Sequence, residues 1–177
     1  GYLALGISLA TPAGLTATIL HLFIHALMKG ALFVALGCVA WRIGSSRLQD
    51  FAGLGYRMPW TMVVFVVVGL SLIVIPLTAG FISKWYLVLG GMATGEWWVV
   101  IFVLGASLLT ATYFFRLLES IYTRQSSELA PIKEAPLAVA LPIVILGLAV
   151  ILFGLFNSRI LDLFLRDAMP PGLVIPG

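Results

Sequence analysis

The chain has 177 residues, 62% hydrophobic and 10% charged, with a mean hydropathy of +1.14 and a formal net charge of +3. A soluble domain carries roughly 25% charged residues, so the composition excludes a soluble enzyme and describes a polytopic membrane protein. The charges cluster between apolar runs, and nothing in them points to nucleic acid as a partner.

Residues 1–10 read as the end of a spanning helix. The chain opens with Gly1 inside an apolar segment and shows no signal-peptide pattern, so it is expected to be a piece of a longer protein. Thr11-Pro12 ends this segment, and proline suits the first turn of the next helix. Residues 13–41 form a second apolar run, longer than the ~20 residues a bilayer requires. Cys38, the lone cysteine, lies within it and reads as a small packing residue. Residues 42–57 are polar and glycine-rich, with Gly44-Ser45-Ser46 as a breaker and 48–54 as a short surface helix. A third run covers 59–75 and ends at Pro76. A fourth covers 77–92. The fifth, 97–122, opens with the interfacial pair Trp97-Trp98. A polar loop at 123–135 leads to the sixth run, 136–156. The tail, 157–177, holds an amphipathic patch (Ile160, Leu161, Leu163, Phe164, Leu165) followed by prolines.

The second run carries His21, His25 and Lys29, four residues apart. On a helix they share one face and climb about 12 Å. Ionisable groups in a spanning helix are costly unless they face protein or water. Histidine exchanges protons near neutral pH, so the ladder suggests a proton path. The bland alternative is a pair of histidines satisfied by hydrogen bonds between helices. A zinc hydrolase needs glutamate directly after the first histidine, where this chain has Leu22. Haem with two axial histidines calls for facing helices, and both histidines lie on one run.

The fourth run is short and holds Pro76, Gly80, Ser83, Lys84 and Gly90-Gly91. Such interruptions are tolerated where backbone lines a cavity or is buried in protein, and broken helices often carry a transporter's ion site. The expected interruption lies within 76–91. Burial disfavours the charged form of an amine, so a buried lysine can release and regain a proton as neighbouring charge moves. The competing reading has Lys84 snorkelling to an interface.

Four motifs occur in order: Gly1-Tyr2; His21-x3-His25-x3-Lys29-x3-Phe33; Gly53-Leu54-Gly55 with Met58-Pro59; and Ile75-Pro76-x3-Gly80-Phe81-x-Ser83-Lys84. Together they resemble the antiporter-like subunits of respiratory complex I, Mrp-type sodium/proton antiporters and membrane-bound hydrogenases. Beyond about Tyr122 the likeness is that of a generic membrane helix and tail. The family's fold implies a larger bundle with two inverted repeats, each with one broken helix bearing a lysine or glutamate. The resemblance makes Lys84 the charged residue of the second broken helix, with His21, His25 and Lys29 as the polar line leading outward. A lysine at 84 argues against the complex I subunit that carries glutamate there. The wording around it looks closest to the antiporter and related bacterial members.

The expected fold is therefore all-α: a polytopic transmembrane helix bundle, the second half of an inverted-repeat antiporter-like fold with one broken helix. Residues 1–156 form the membrane domain, about six segments with the first truncated, and 157–177 the tail. The expected function is proton or cation/proton translocation as a subunit of a complex I-like or Mrp-type antiporter complex. Lys84 is the switch, and Lys29, His25 and His21 are the relay. The alternatives are a secondary transporter of another class, with Lys84 binding an anionic substrate, and a scaffold subunit without transport. The sequence shows neither a cysteine cluster nor a glycine-rich dinucleotide loop, so no cofactor or metal is expected. Any oxidoreductase activity, such as that of an NADH:quinone oxidoreductase-like complex, belongs to other subunits. The expected partners are other membrane subunits, the lipid bilayer, protons and, alternatively, sodium, in a bacterial inner (cytoplasmic) membrane.

Alternating runs would place Arg42, Arg47, Arg57, Arg159 and Arg166 at one end and Arg124 and Lys133 at the other. The positive-inside rule puts the first group in the cytoplasm. The family's topology implies the opposite, and its orientation is preferred.

Overall fold

All regular elements among the described residues of the computed structural model, 1–123, 133–157 and 159, are helical. Helix α1 (Tyr2–Ser8) turns back into α2 (Pro12–Ile43). Thr11 caps α2 by accepting the Gly14 N–H at 3.0 Å, and Pro12 sits where no backbone donor is needed. A 3-10 turn (Leu48–Phe51) and the short α3 (Leu54–Arg57) replace the single surface helix expected at 48–54. Next come α4 (Pro59–Ile73), α5 (Ala79–Ala93), α6 (Trp97–Thr123) and α7 (Leu137–Leu155).

Helices α2, α6 and α7 are each long and apolar enough to cross a membrane. With 15 residues apiece, α4 and α5 rise only about 22 Å each, short of a ~30 Å hydrocarbon core. Their packing along α2 shows how they combine. Near Ile43, α2 buries Ala35, Cys38 and Val39 against Met62 and Phe65 of α4. In its middle, Leu20, Ile24 and Met28 meet Val68 of α4 together with Ala79 and Ile82 of α5. Near Pro12, Ala17 packs with Leu87 of α5 and with Val99 and Val103 of α6. Helices α4 and α5 thus follow one another in the same direction, antiparallel to α2, as two halves of one broken crossing. This corrects the reading of 59–75 and 77–92 as separate runs, with 59–75 a span in its own right.

The break lies at 74–78, and α5 continues unbroken through Gly80 and Gly90-Gly91. The interruption therefore precedes the glycines that were expected to make it. Pro76 has no N–H and disfavours helical backbone at Ile75. Val74 (φ 89°) and Leu77 (φ 73°) adopt left-handed backbone, which costs about 1–3 kcal/mol per residue and persists only where packing enforces it. The packing is visible on both sides. The Gly80 N–H donates to Ser71 Oγ at 3.0 Å, so the first turn of α5 lies beside the last turn of α4. A Cβ at Gly80 would collide with the Ser71 carbonyl, and one at Gly154 of α7 with the Leu77 carbonyl. Glycine permits both approaches.

At the Arg42 end the segment before α7 is tied to two helices. Arg42 Nη2 donates to the Glu134 carbonyl at 2.8 Å. The Glu134 carboxylate accepts the Trp60 N–H at 3.2 Å, the Thr61 N–H at 3.4 Å and the Thr61 hydroxyl at 2.6 Å. It thereby caps α4, where a negative charge also suits the helix dipole. Lys133, the preceding residue, lies at the same end as Arg42 and not the opposite one. The reason is that two runs make one crossing, which shifts every later segment by one side. Helix α7 runs away from this end, so Arg159 follows its far terminus. Arg124, Arg166 and the expected amphipathic patch lie outside the described residues.

Candidate functional site

Lys84 stands in the second turn of α5 and is 6% exposed. Its ammonium donates to the Leu72 carbonyl at the end of α4, 3.1 Å away, and to Ser107 Oγ of α6 at 3.2 Å. The Tyr2 ring lies 5.0 Å from Nζ, within cation–π range. Ser107 gives its own hydroxyl proton to the Val103 carbonyl at 2.7 Å, so it faces Lys84 as an acceptor. The last carbonyls of a helix lack intrahelical donors and carry the negative end of its dipole. The break turns that end toward Lys84. Hydrogen bonds from a charged donor contribute about 1.5–3 kcal/mol each, the same order as the several kcal/mol needed to remove one ion from water. Among the described residues, these neutral partners therefore hold the ammonium without a carboxylate.

His21 is 7% exposed. Its Nδ1 lies 3.0 Å from Ser83 Oγ, next to Lys84 in sequence. Its ring stacks on His25 at 5.2 Å and meets the Tyr2 ring edge-on at 5.2 Å. His25 is half-buried, and Lys29 is exposed among the described residues. The helical period puts all three on one face of α2, but α5 covers only the lower part of it.

A cavity of about 170 Å³ joins these groups. Lys84, His21, His25 and Lys29 all border it, together with Tyr2 and Thr110. No carboxylate lies among its described lining residues, and it has room for several water molecules. Lys29, Leu72 and Tyr113 also border a second, largely apolar cavity of about 330 Å³, which reaches Ser46 and Leu48 toward the Arg42 end. Lys29 thus stands where the two spaces meet.

Sequence reasoning missed three contributors. Ser107 was legible only as a hydroxyl in an apolar run. Tyr2 entered only through a motif, and the Leu72 carbonyl has no side-chain signature. Ser83 reads in the sequence as a helix interruption, whereas in the fold its hydroxyl meets His21 and the Gly80 carbonyl.

A family model described as NADH:quinone oxidoreductase/Mrp antiporter, transmembrane, matches residues 1–110. The NADH-quinone oxidoreductase subunit N of Desulforudis audaxviator (strain MP104C) is 40% identical over 183 residues, covering 96% of this chain and 36% of that protein. Among solved structures, the Mrp complex from Dietzia sp. DQ12-45-1b aligns with a TM-score of 0.83 and 25% identity, over 92% of this chain and 39% of that one. The membrane-bound sulfane sulfur reductase, an archaeal respiratory membrane complex, aligns with a TM-score of 0.82 and 31% identity, over 93% of this chain and 28% of that one. The chain spans about a third of the length of the curated relatives it matches.

Proposed function

Because the chain belongs to the NADH:quinone oxidoreductase/Mrp antiporter family of transmembrane proteins, we propose that it moves protons as part of a multisubunit membrane complex. Lys84 loads and releases the proton, and Lys29, His25 and His21 relay it. One observation carries this reading: a buried lysine at the break of a membrane crossing shares a cavity with the whole histidine–lysine ladder. An ammonium whose partners among the described residues are neutral can lose its proton without leaving a carboxylate unpaired. Water in the cavity spans the gaps between side chains, and imidazole passes protons near neutral pH. The exposed Lys29, where the two cavities meet, is the exit toward the Arg42 end.

The membrane domain in this reading is residues 1–156, with 157–177 as a tail. The setting is a bacterial inner membrane, where the chain packs with other membrane subunits as its relatives do in complex I-type and Mrp-type assemblies. Sodium is the alternative coupling ion.

The test is proton movement in vesicles holding the assembled complex, with assembly measured separately. Lys84→Ala is expected to abolish coupled proton movement in complexes that still assemble. Near-normal pumping by such complexes removes Lys84 from the mechanism and leaves a scaffold role.

A further inference from the structure

Ser83 has a single hydroxyl proton. It donates that proton to the Gly80 carbonyl of its own helix, at 3.3 Å. Toward His21 Nδ1, 3.0 Å away, the same oxygen can therefore only accept. The Gly80 carbonyl can only accept, so both contacts are hydrogen bonds at once only with the hydrogen on Nδ1, which leaves the lone pair of the neutral ring on Nε2. The contact is buried and joins α2 to α5 beside Lys84.

We infer that His21 takes up and releases protons at Nε2 alone, with Ser83 as the positioning residue that fixes this tautomer. The proton on Nδ1 faces a hydroxyl whose hydrogen is committed to a backbone carbonyl. That carbonyl cannot accept and pass on a proton, so no chain of transfers leads out through Ser83. In the proposed relay His21 is then loaded and emptied at one nitrogen, through water on Nε2, and is not a wire through both. When a proton arrives from water on Nε2, the ring becomes imidazolium and Nδ1 keeps its bond to Ser83. When it leaves, it returns to water from Nε2. The purpose of that proton rests on the transport reading above; the tautomer does not.

The experiment is solid-state nitrogen-15 NMR on the assembled complex with labelled histidine, at a pH well above the ~6.5 of free imidazole. His21 is identified by the signals lost in His21→Gln. The expected result is a protonated Nδ1 and a bare Nε2 in the unmutated protein. Ser83→Ala is expected to lose the Nδ1–H preference and show the other tautomer. Ser83→Thr should restore it, because a threonine hydroxyl bonds the same backbone turn. A ring protonated on Nε2 in the unmutated protein overturns the inference, as does an unchanged tautomer in Ser83→Ala. The spectrum needs no proton pumping. If the tautomer holds while Lys84→Ala still pumps, the transport reading falls and the positioning role stands; the reverse outcome separates them equally.

Discussion

The Lys84 ammonium donates to the Leu72 carbonyl across the break at 3.1 Å, so a side chain of one half of the crossing caps the backbone of the other. The proton-bearing group and the end of α4 are thereby linked. Loss of the proton would remove the charge that faces the negative end of the α4 dipole. The halves are also held at Ser71–Gly80, so this linkage tunes the break without being its only tie.

Charge and proton release can be separated at this position. Arginine keeps the positive charge and the donors but does not deprotonate. Lys84→Arg is expected to assemble and to lose proton movement as fully as Lys84→Ala, measured in vesicles with the complex quantified. Pumping at half the normal rate or more would show that charge suffices there.

Gly80 has the stricter steric requirement. Its neighbour is the Ser71 backbone, which cannot swing aside as a side chain can. Gly80→Ala is expected to destabilise by about 1–3 kcal/mol, as overpacking does, and to displace Lys84 from Leu72. Ser71→Ala removes only an acceptor and should cost about 1 kcal/mol. Thermal melts of the purified complex rank the two, and equal costs would mean the close approach is relaxed in the membrane.

Glu134 anchors the opposite end of α4 through Trp60 and Thr61. Glu134→Ala is expected to cost about 1–2 kcal/mol through loss of the cap while leaving proton movement per assembled complex unchanged. A double-mutant cycle with Thr61→Val should show coupling of about 0.5 kcal/mol or more. Additive effects would argue that the two residues do not share a bond.

The two histidines should not respond alike. His21 is buried and bonded to Ser83, while His25 is half-buried beside it. His21→Ala is expected to reduce both stability and proton movement more than His25→Ala. For His25, cavity water can bridge the gap left by the ring. Parallel melts and pumping assays on both variants check the order, and a larger loss from His25→Ala would move the relay to the exposed side.

Local chemistry was legible from the sequence alone. Composition set the membrane class, run length set α2, α6 and α7, and four-residue spacing put His21, His25 and Lys29 on one face. These are properties of single segments, fixed by hydropathy and the helical period. The presence of a break near Pro76 was legible too, because proline acts on its own backbone. What the sequence did not decide is everything that depends on a partner across space. Proline and glycine mark an interrupted crossing and a turn between two crossings in the same way. Only packing along α2 shows that α4 and α5 are halves of one, and that Lys133 shares an end with Arg42. The helical period likewise fixes a common face for the ladder but not what covers it. Contact with α5 makes His21 buried while Lys29 stays exposed. Ser107 and the Leu72 carbonyl meet Lys84 only because the break lets two helix halves overlap beside α6, a relationship between three helices that no single segment carries.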